Sequence, residues 1–174
     1  MSDPVSDTSS TLRLDAEALY ADLSKGVQRL LRPETSLVGV WSGGAWLAER
    51  LNAELGLTTP HGVISSALHR DDFGQRGLSA TKDATHLPFE VDGRHILLVD
   101  DVLYTGRTTR AVLNELWDFG RPASVTLVVL VDRGGRELPI EPAYSAARIA
   151  LPAETRVSLG RNEQGRFQFQ FEKA

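Results

Sequence analysis

The stretch that decides the fold runs from Ile96 to Thr108 and reads ILLVDDVLYTGRT. Its apolar start indicates a buried strand, two adjacent carboxylates follow, and a turn of small and hydroxyl-bearing residues leads into a helix. In parallel α/β sheets, ligands bind at the carboxyl ends of the strands. A helix N-terminus attracts anions there, because it presents unpaired backbone N–H groups and a partial positive charge. The pattern therefore predicts an anion site beside two carboxylates.

The two carboxylates, Asp100 and Asp101, should repel a phosphate and therefore face another group. A ribose diol offers O–H donors that carboxylates accept, and a hard cation such as Mg²⁺ is a second candidate ligand. In the turn, Gly106 lets the backbone approach an anion closely. Further donors come from Thr105, Arg107 and Thr108. The run thus predicts a sugar-phosphate site, and the alternative is an acidic pair that caps an ordinary strand–helix turn.

Apolar runs and helical spacings alternate along the rest of the chain, which predicts one α/β domain with a mostly parallel central sheet flanked by helices. Asp15 is the expected N-cap of the first helix, and Gly56 ends the second. The predicted strands are Ser36 to Trp41, Gly62 to Leu68, His95 to Val99 and Ser124 to Val131. The predicted helices span Leu19 to Leu30, Trp46 to Leu55 and Thr108 to Phe119.

Three segments depart from this alternation. Residues 1–11 are polar and are expected to be a disordered lead-in to a domain of residues 12–174. His69 to Pro88 is a long polar stretch without a period, which indicates a functional lid or partial disorder. Near the C-terminus, Arg156 to Leu159 and Arg166 to Phe171 flank a turn-like Gly160 to Gly165, which predicts an antiparallel hairpin.

Composition narrows the class of protein. The chain has 174 residues, 41% of them hydrophobic and 24% charged, as in an ordinary globular domain. It has no cysteine, so it carries no disulfide framework and no thiolate site. It has neither a signal-peptide pattern nor an apolar run of about 20 residues, and we expect a cytoplasmic protein without membrane association. The net charge of −4 argues mildly against broad nucleic-acid binding. Neither a G-x-G-x-x-G after a strand nor a Walker lysine motif is present.

The run from Ile96 to Thr108 resembles the signature that type I phosphoribosyltransferases use to bind phosphoribosyl pyrophosphate (PRPP). Further segments resemble the PyrR family, described as pyrimidine operon regulators with uracil phosphoribosyltransferase activity. The most specific of them is Leu130 to Ile140 (LVDRGGRELPI); Phe119 to Pro122 (FGRP) also matches. Leu68 to Asp72 (LHRDD) resembles the family's flexible-loop motif, which usually has Tyr in place of His69. The resemblance implies the type I phosphoribosyltransferase fold with a small hood.

The resemblance also implies roles for individual residues. Asp100 and Asp101 would hold the ribose hydroxyls and Mg²⁺, and Asp101 would be the general base if there is one. Arg70 would be a catalytic residue of the lid that covers the diphosphate when the lid closes. The implied PRPP-binding residues are Asp100, Asp101, Val102, Leu103, Tyr104, Thr105, Gly106, Arg107 and Thr108. The implied diphosphate loop is Trp41, Ser42, Gly43 and Gly44, and the implied base-binding residues are Val131, Asp132 and Arg133.

Several alternatives stay open at this point. Arg70 could be a solvated loop arginine, and Arg133 and Arg136 could form structural ion pairs with Asp132 or Glu137. The diphosphate loop lacks Lys and Arg, so backbone N–H groups and Mg²⁺ would have to hold the diphosphate.

The resemblance implies the reaction of uracil with PRPP to give uridine 5′-monophosphate (UMP) and diphosphate, in a homodimer or homotetramer. A second possible function is regulation: the protein would respond to UMP and bind the leader RNA of a pyrimidine operon. In one form of this hypothesis, RNA binding is the main function and catalysis is vestigial. RNA would then contact a C-terminal surface with Arg156, Arg161 and Arg166 rather than the acidic first helix. A third is a phosphoribosyltransferase for another base, although a purine enzyme should lack LVDRGGRELPI.

Overall fold

A computed structural model describes residues 13–67 and 85–174. The described helices are α1 (Ala16–Leu30), α2 (Gly43–Glu54) and α3 (Arg107–Trp117). The described strands are β1 (Thr35–Val40), β2 (Gly62–Ile64), β3 (His95–Leu103), β4 (Ser124–Asp132), β5 (Tyr144–Arg148), β6 (Thr155–Arg161) and β7 (Phe167–Lys173). None of the helices in these two ranges is long and apolar enough to cross a membrane.

Strands β1 to β5 form one parallel sheet in the order β2-β1-β3-β4-β5. The carboxyl ends of β1, β3 and β4 therefore lie side by side at one edge of the sheet. Strands β6 and β7 pair antiparallel in a separate sheet. The predicted α/β class, the parallel central sheet and the C-terminal hairpin are confirmed.

Alternation along the strands places apolar side chains on both faces of the sheet. Leu97 and Val99 of β3 pack with α1 and α2, whereas Leu98, between them, packs with Val112 and Leu116 of α3. Burial on both faces explains why β1, β3 and β4 read as nearly continuous apolar runs.

Two predicted cap residues are also confirmed. The Asp15 side chain caps α1, because its Oδ1 accepts a hydrogen bond from the Ala18 N–H at 3.1 Å. Gly56 follows α2 with φ of +63°, a left-handed conformation that glycine adopts without steric cost.

Several predicted boundaries are wrong. Strand β3 continues to Leu103, because its pairing with β4 extends to Leu103 opposite Asp132. Both aspartates thus lie within the strand rather than after it. Strand β2 ends at Ile64, short of the predicted Leu68, and α3 is displaced by one or two residues at each end. Strand β5 was not predicted, because its residues YSAAR lack apolar alternation.

Most of the predicted lid, including Arg70, lies outside the described residues. Its described end meets the sheet, since the backbone of His86 forms an antiparallel bridge with Val63 of β2.

The hairpin of β6 and β7 packs against the α1 side of the sheet. The ring of Phe167 lies 5.4 Å from the ring of Tyr20, and its backbone N–H donates to Glu17 Oε1 at 2.9 Å. Glu17 and Glu54 also bind Arg50, whose guanidinium lies 4.2 Å from the centre of the Tyr20 ring. These contacts hold α1, α2 and β7 together and place the hairpin over the edge of the sheet.

Candidate functional site

Three of the segments predicted from the sequence meet at the edge where β1, β3 and β4 end. Residues 41–44 follow β1, residues 100–108 include the end of β3 and the turn into α3, and residues 131–133 end β4. Arg70, predicted as a fourth component, lies outside the described residues.

The segment after β1 brings the N-terminus of α2 into direct contact with β3. A Cβ on Gly43 would lie 2.5 Å from Asp101 Oδ2, and a Cβ on Gly44 would collide with the carbonyl oxygen of Val99. Both glycines are therefore required by close approach. The peptide bond between Trp41 and Ser42 is cis. The first turn of α2 places backbone N–H groups without intrahelical partners beside the carboxylates.

The two aspartates are held by backbone N–H groups. Asp100 is 7% exposed, and its Oδ1 accepts from the Asp101 N–H at 2.8 Å. Asp101 Oδ1 accepts from the Val102 N–H at 2.8 Å, and its Oδ2 accepts from the Leu159 N–H of β6 at 3.1 Å. An ionised carboxylate accepts about four hydrogen bonds, so Asp101 can fix the hairpin and still accept from a ligand.

The turn after β3 is a left-handed entry into α3. Gly106 has φ of +92° at the N-cap position. The Arg107 N–H donates to Thr105 Oγ1 at 3.2 Å, and the Arg107 side chain pairs with Glu137 at 2.7 Å. The positive end of α3 therefore faces the same edge as the positive end of α2, with the aspartates between them.

The end of β4 carries a buried ion pair. Asp132 Oδ2 accepts from Arg136 Nη2 at 2.8 Å, and its Oδ1 accepts from the Gly134 N–H at 3.0 Å. Burial raises the pKa of Asp132, but the hydrogen bonds from Arg136 and Gly134 outweigh it and hold the pKa below its usual value. This ion pair was one of the sequence-based alternatives for Arg136. Glu137 pairs with Arg107 instead.

Arg133 is 6% exposed and spans the gap between β4 and the hairpin. Its guanidinium donates to the carbonyl oxygens of Thr155 at 2.6 Å and Pro152 at 3.0 Å, and it lies 4.0 Å from the centre of the Tyr104 ring. The side chain is therefore engaged in structural contacts, and base binding by Arg133 stays a prediction. Its Nε–H is buried without a partner among the described residues, and the two carbonyl oxygens engage only two of the five N–H donors of the guanidinium.

Oxygen ligands for a metal are few in this part of the chain. The described residues contain no cluster of three or more His, Cys, Asp or Glu that could hold a metal ion. Mg²⁺ commonly binds through one or two carboxylates and completes its shell with water and substrate phosphates. Asp100 and Asp101 fit that mode and do not fit an all-protein metal cage.

Comparison with known proteins agrees with this geometry. Residues 5–152 match the family model of the phosphoribosyl transferase domain. The bifunctional protein PyrR of Ralstonia nicotianae is 51% identical over 157 residues, which cover 88% of this chain and 90% of that protein. This chain belongs to the PyrR family. Another member, from Nitrosococcus oceani, is 43% identical over 164 residues, with 91% and 93% coverage.

Solved structures share the fold of this PyrR-family chain at lower identity. A purine phosphoribosyltransferase from Pyrococcus horikoshii superposes with a TM-score of 0.58 at 24% identity, covering 76% of this chain and 81% of its own. The hypoxanthine phosphoribosyltransferase of Trypanosoma cruzi gives a TM-score of 0.57 at 21% identity, with 80% and 82% coverage. The family and the type I phosphoribosyltransferase fold predicted from the sequence are thus confirmed.

Sequence reasoning missed two contacts of this PyrR-family site. The Leu159 N–H that binds Asp101 comes from the hairpin, and no local pattern points to it. The contact of Arg136 with the backbone of Tyr104 was also missed, although Arg136 belongs to the family-specific LVDRGGRELPI segment.

Proposed function

We propose that the protein transfers the ribose 5-phosphate group of PRPP to uracil, giving UMP and diphosphate. The observation that carries the proposal is the order of charges along the edge of the sheet. The N-terminus of α2 and the turn into α3 flank Asp100 and Asp101. PRPP has the matching order, with a diphosphate on C1, two ribose hydroxyls, and a phosphate on C5.

The proposed reaction breaks the bond between C1 and the diphosphate and forms a bond between C1 and N1 of uracil, which loses its proton. Backbone N–H groups of residues 43–44 would stabilise the leaving diphosphate. The aspartates would hold the ribose while positive charge builds on it, and Asp101 is the candidate base for the uracil proton. Bound Mg²⁺ would supply positive charge for the diphosphate oxygens.

The choice of uracil rests on membership of the PyrR family and on the LVDRGGRELPI segment. The base would lie beside the end of β4, where the Arg133 N–H already donates to the carbonyl oxygen of Leu103 at 3.0 Å. The backbone groups that could read its N–H edge are therefore carbonyl oxygens of residues 131–133, each of which has two lone pairs. An activity assay that offers uracil, hypoxanthine, guanine and orotate with PRPP and Mg²⁺ tests the assignment. Product from a purine without product from uracil would refute it.

The first prediction concerns the metal. Purified protein should convert uracil and PRPP to UMP only when a divalent cation is present, because the described residues offer two carboxylates and no lysine or arginine at the diphosphate loop. Chromatography of the product with Mg²⁺, and with excess chelator, measures this. Equal rates of UMP formation with Mg²⁺ and with excess chelator would show that the reaction does not need a metal.

We propose RNA binding as a second function, because the relatives are bifunctional and the hairpin exposes arginines. Arg156 and Arg166 are exposed, whereas Arg161 pairs with Glu49 at 3.1 Å. On α1, Lys25 and Arg29 are also exposed, but Glu17 and Asp22 lie on the same helix and reduce its attraction for a phosphate backbone. The hairpin is therefore the favoured surface.

The second prediction compares these two surfaces. Replacing Arg156, Arg161 and Arg166 by Ala should weaken binding to a pyrimidine-operon leader RNA and lower the slope of log K against log salt by about 0.7 for each lost contact with single-stranded phosphate. Gel shifts over a salt series measure the slope. The matched control replaces Lys25 and Arg29 by Ala. If only the control loses binding, α1 is the RNA surface.

A further inference from the structure

The side chain of Arg136 donates hydrogen bonds to two backbone carbonyl oxygens and one carboxylate. Its Nη1 donates to the carbonyl oxygen of Tyr104 at 2.7 Å, its Nε donates to that of Ile140 at 2.7 Å, and its Nη2 donates to Asp132 Oδ2 at 2.8 Å. The side chain is 15% exposed. A planar guanidinium projects donors from three nitrogens in fixed directions, whereas the three donors of a lysine ammonium rotate about a single nitrogen.

The backbone that follows Arg136 binds the next carbonyl of the turn after β3, that of Thr105. The N–H groups of Glu137 and Leu138 donate to the carbonyl oxygen of Thr105 at 2.9 and 3.2 Å. Two successive carbonyls of the turn, those of Tyr104 and Thr105, thus point toward residues 136–140.

The orientation of these carbonyls fixes the orientation of two amides. In a trans peptide the C=O of one residue and the N–H of the next lie in one plane and point in opposite directions. Because the carbonyls of Tyr104 and Thr105 face residues 136–140, the N–H groups of Thr105 and Gly106 point away from them. This is the arrangement that a turn needs to present amides to an anion.

Side chains of the same segment lie against Gly106. A Cβ on Gly106 would lie 3.1 Å from Ile140 Cγ1 and 3.4 Å from Leu138 Cβ. The turn is therefore closely packed on this side.

We infer that residues 136–140 aim the turn of residues 104–108 at a sugar 5-phosphate, and that Arg136 is the positioning residue. Arg136 does not touch the ligand in this inference; it acts by turning the Tyr104 carbonyl away. Through Asp132 it also ties the turn to the end of β4. The inference rests on the proposed function only for the chemical class of the ligand, a ribose 5-phosphate.

The third prediction tests this role with Arg136→Lys and Arg136→Met. Both variants should bind ribose 5-phosphate about tenfold or more weakly, because small displacements of oriented groups have effects of this size. Binding of ribose itself should be unchanged. Calorimetry on the full chain gives the ratio of the two dissociation constants. A variant with fewer folded molecules would bind less of both ligands, so its ratio would not change for that reason. In steady-state kinetics, the KM for PRPP should rise more than the KM for uracil.

Arg94→Lys is the matched control. The guanidinium of Arg94 also makes two hydrogen bonds, to the carbonyl oxygen of Glu90 at 2.8 Å and to Ser36 Oγ at 3.1 Å, but it precedes the amino end of β3, away from residues 104–108, and its loss should leave the ratio unchanged. Arg136→Lys keeps a cation opposite Asp132, so it provides the test if Arg136→Met fails to fold.

The outcomes separate this inference from the proposed function. An unchanged ratio in Arg136→Lys, or wild-type protein that binds ribose 5-phosphate no better than ribose, would overturn the inference. A wild-type protein that makes no UMP, together with a reduced ratio in the variants, would refute the uracil reaction and still support the positioning role.

Discussion

Replacing Gly44 by alanine should abolish most PRPP turnover and lower the stability of the fold. The added Cβ would collide with the carbonyl oxygen of Val99 and lie 3.0 Å from Cα of Asp100, both in the backbone of the central strand β3. Backbone of a central strand cannot move aside as a flexible side chain can. Overpacking costs about 1–3 kcal/mol and occasionally more, and we expect the upper end here. A shift of α2 by about 1 Å would reduce kcat/KM about 100-fold in the folded fraction.

Urea denaturation and steady-state kinetics with PRPP measure the two effects separately. The matched control is Gly56→Ala, because Gly56 has φ of +63° but a Cβ added there would meet nothing within 4 Å. This control should cost only about 1–2 kcal/mol of conformational strain and leave kcat/KM within error. Normal stability and kinetics in Gly44→Ala would show that α2 can move away from β3 without loss.

The sheet and the segments that meet at its carboxyl edge could be predicted because their signals are local. Strands β1, β3 and β4 are buried on both faces and read as apolar runs, and the chain changes from apolar to polar or small residues where each reaches the site. The ends of α1 and α2 were predicted from Asp15 and Gly56 for the same reason. Strand β5 was missed because its half-buried residues YSAAR carry no periodic signal.

The connections within the site depend on contacts between distant residues and could not be read from the sequence. Arg136 and Tyr104 are 32 residues apart, and Leu159 and Asp101 are 58 residues apart. Sequence reasoning assigned Asp101 to the ligand alone. The geometry adds a second partner, because the same carboxylate accepts the Leu159 N–H and so holds the hairpin.

This double engagement leads to different expectations for Asp100→Asn and Asp101→Asn. Both should weaken the grip on the ribose hydroxyls, since each charge-assisted hydrogen bond contributes about 1.5–3 kcal/mol. The advantage of UMP over 2′,3′-dideoxy-UMP in binding should therefore fall about tenfold or more in each variant. Comparing two ligands on one variant isolates the hydroxyl groups from changes elsewhere in the site.

Only Asp101→Asn should also loosen the hairpin. Both oxygens of Asp101 accept from backbone N–H groups, those of Val102 and Leu159, so an asparagine must turn its NH₂ group toward one of these donors. An asparagine at position 100 can keep its amide oxygen on the Asp101 N–H. Hydrogen exchange of the Leu159 amide should therefore accelerate in Asp101→Asn and stay near wild type in Asp100→Asn.

Glu163→Gln, which removes one negative charge from the exposed turn of the hairpin, controls for net charge and should change neither measurement. If UMP keeps its full advantage over the dideoxy ligand in both aspartate variants, neither carboxylate holds the ribose. If the advantage falls only in Asp100→Asn while Leu159 exchanges faster in Asp101→Asn, Asp101 is a structural anchor of the hairpin and Asp100 alone binds the hydroxyls. Loss of the advantage in both variants, with faster exchange in Asp101→Asn alone, would establish that one carboxylate serves the sugar and the hairpin together.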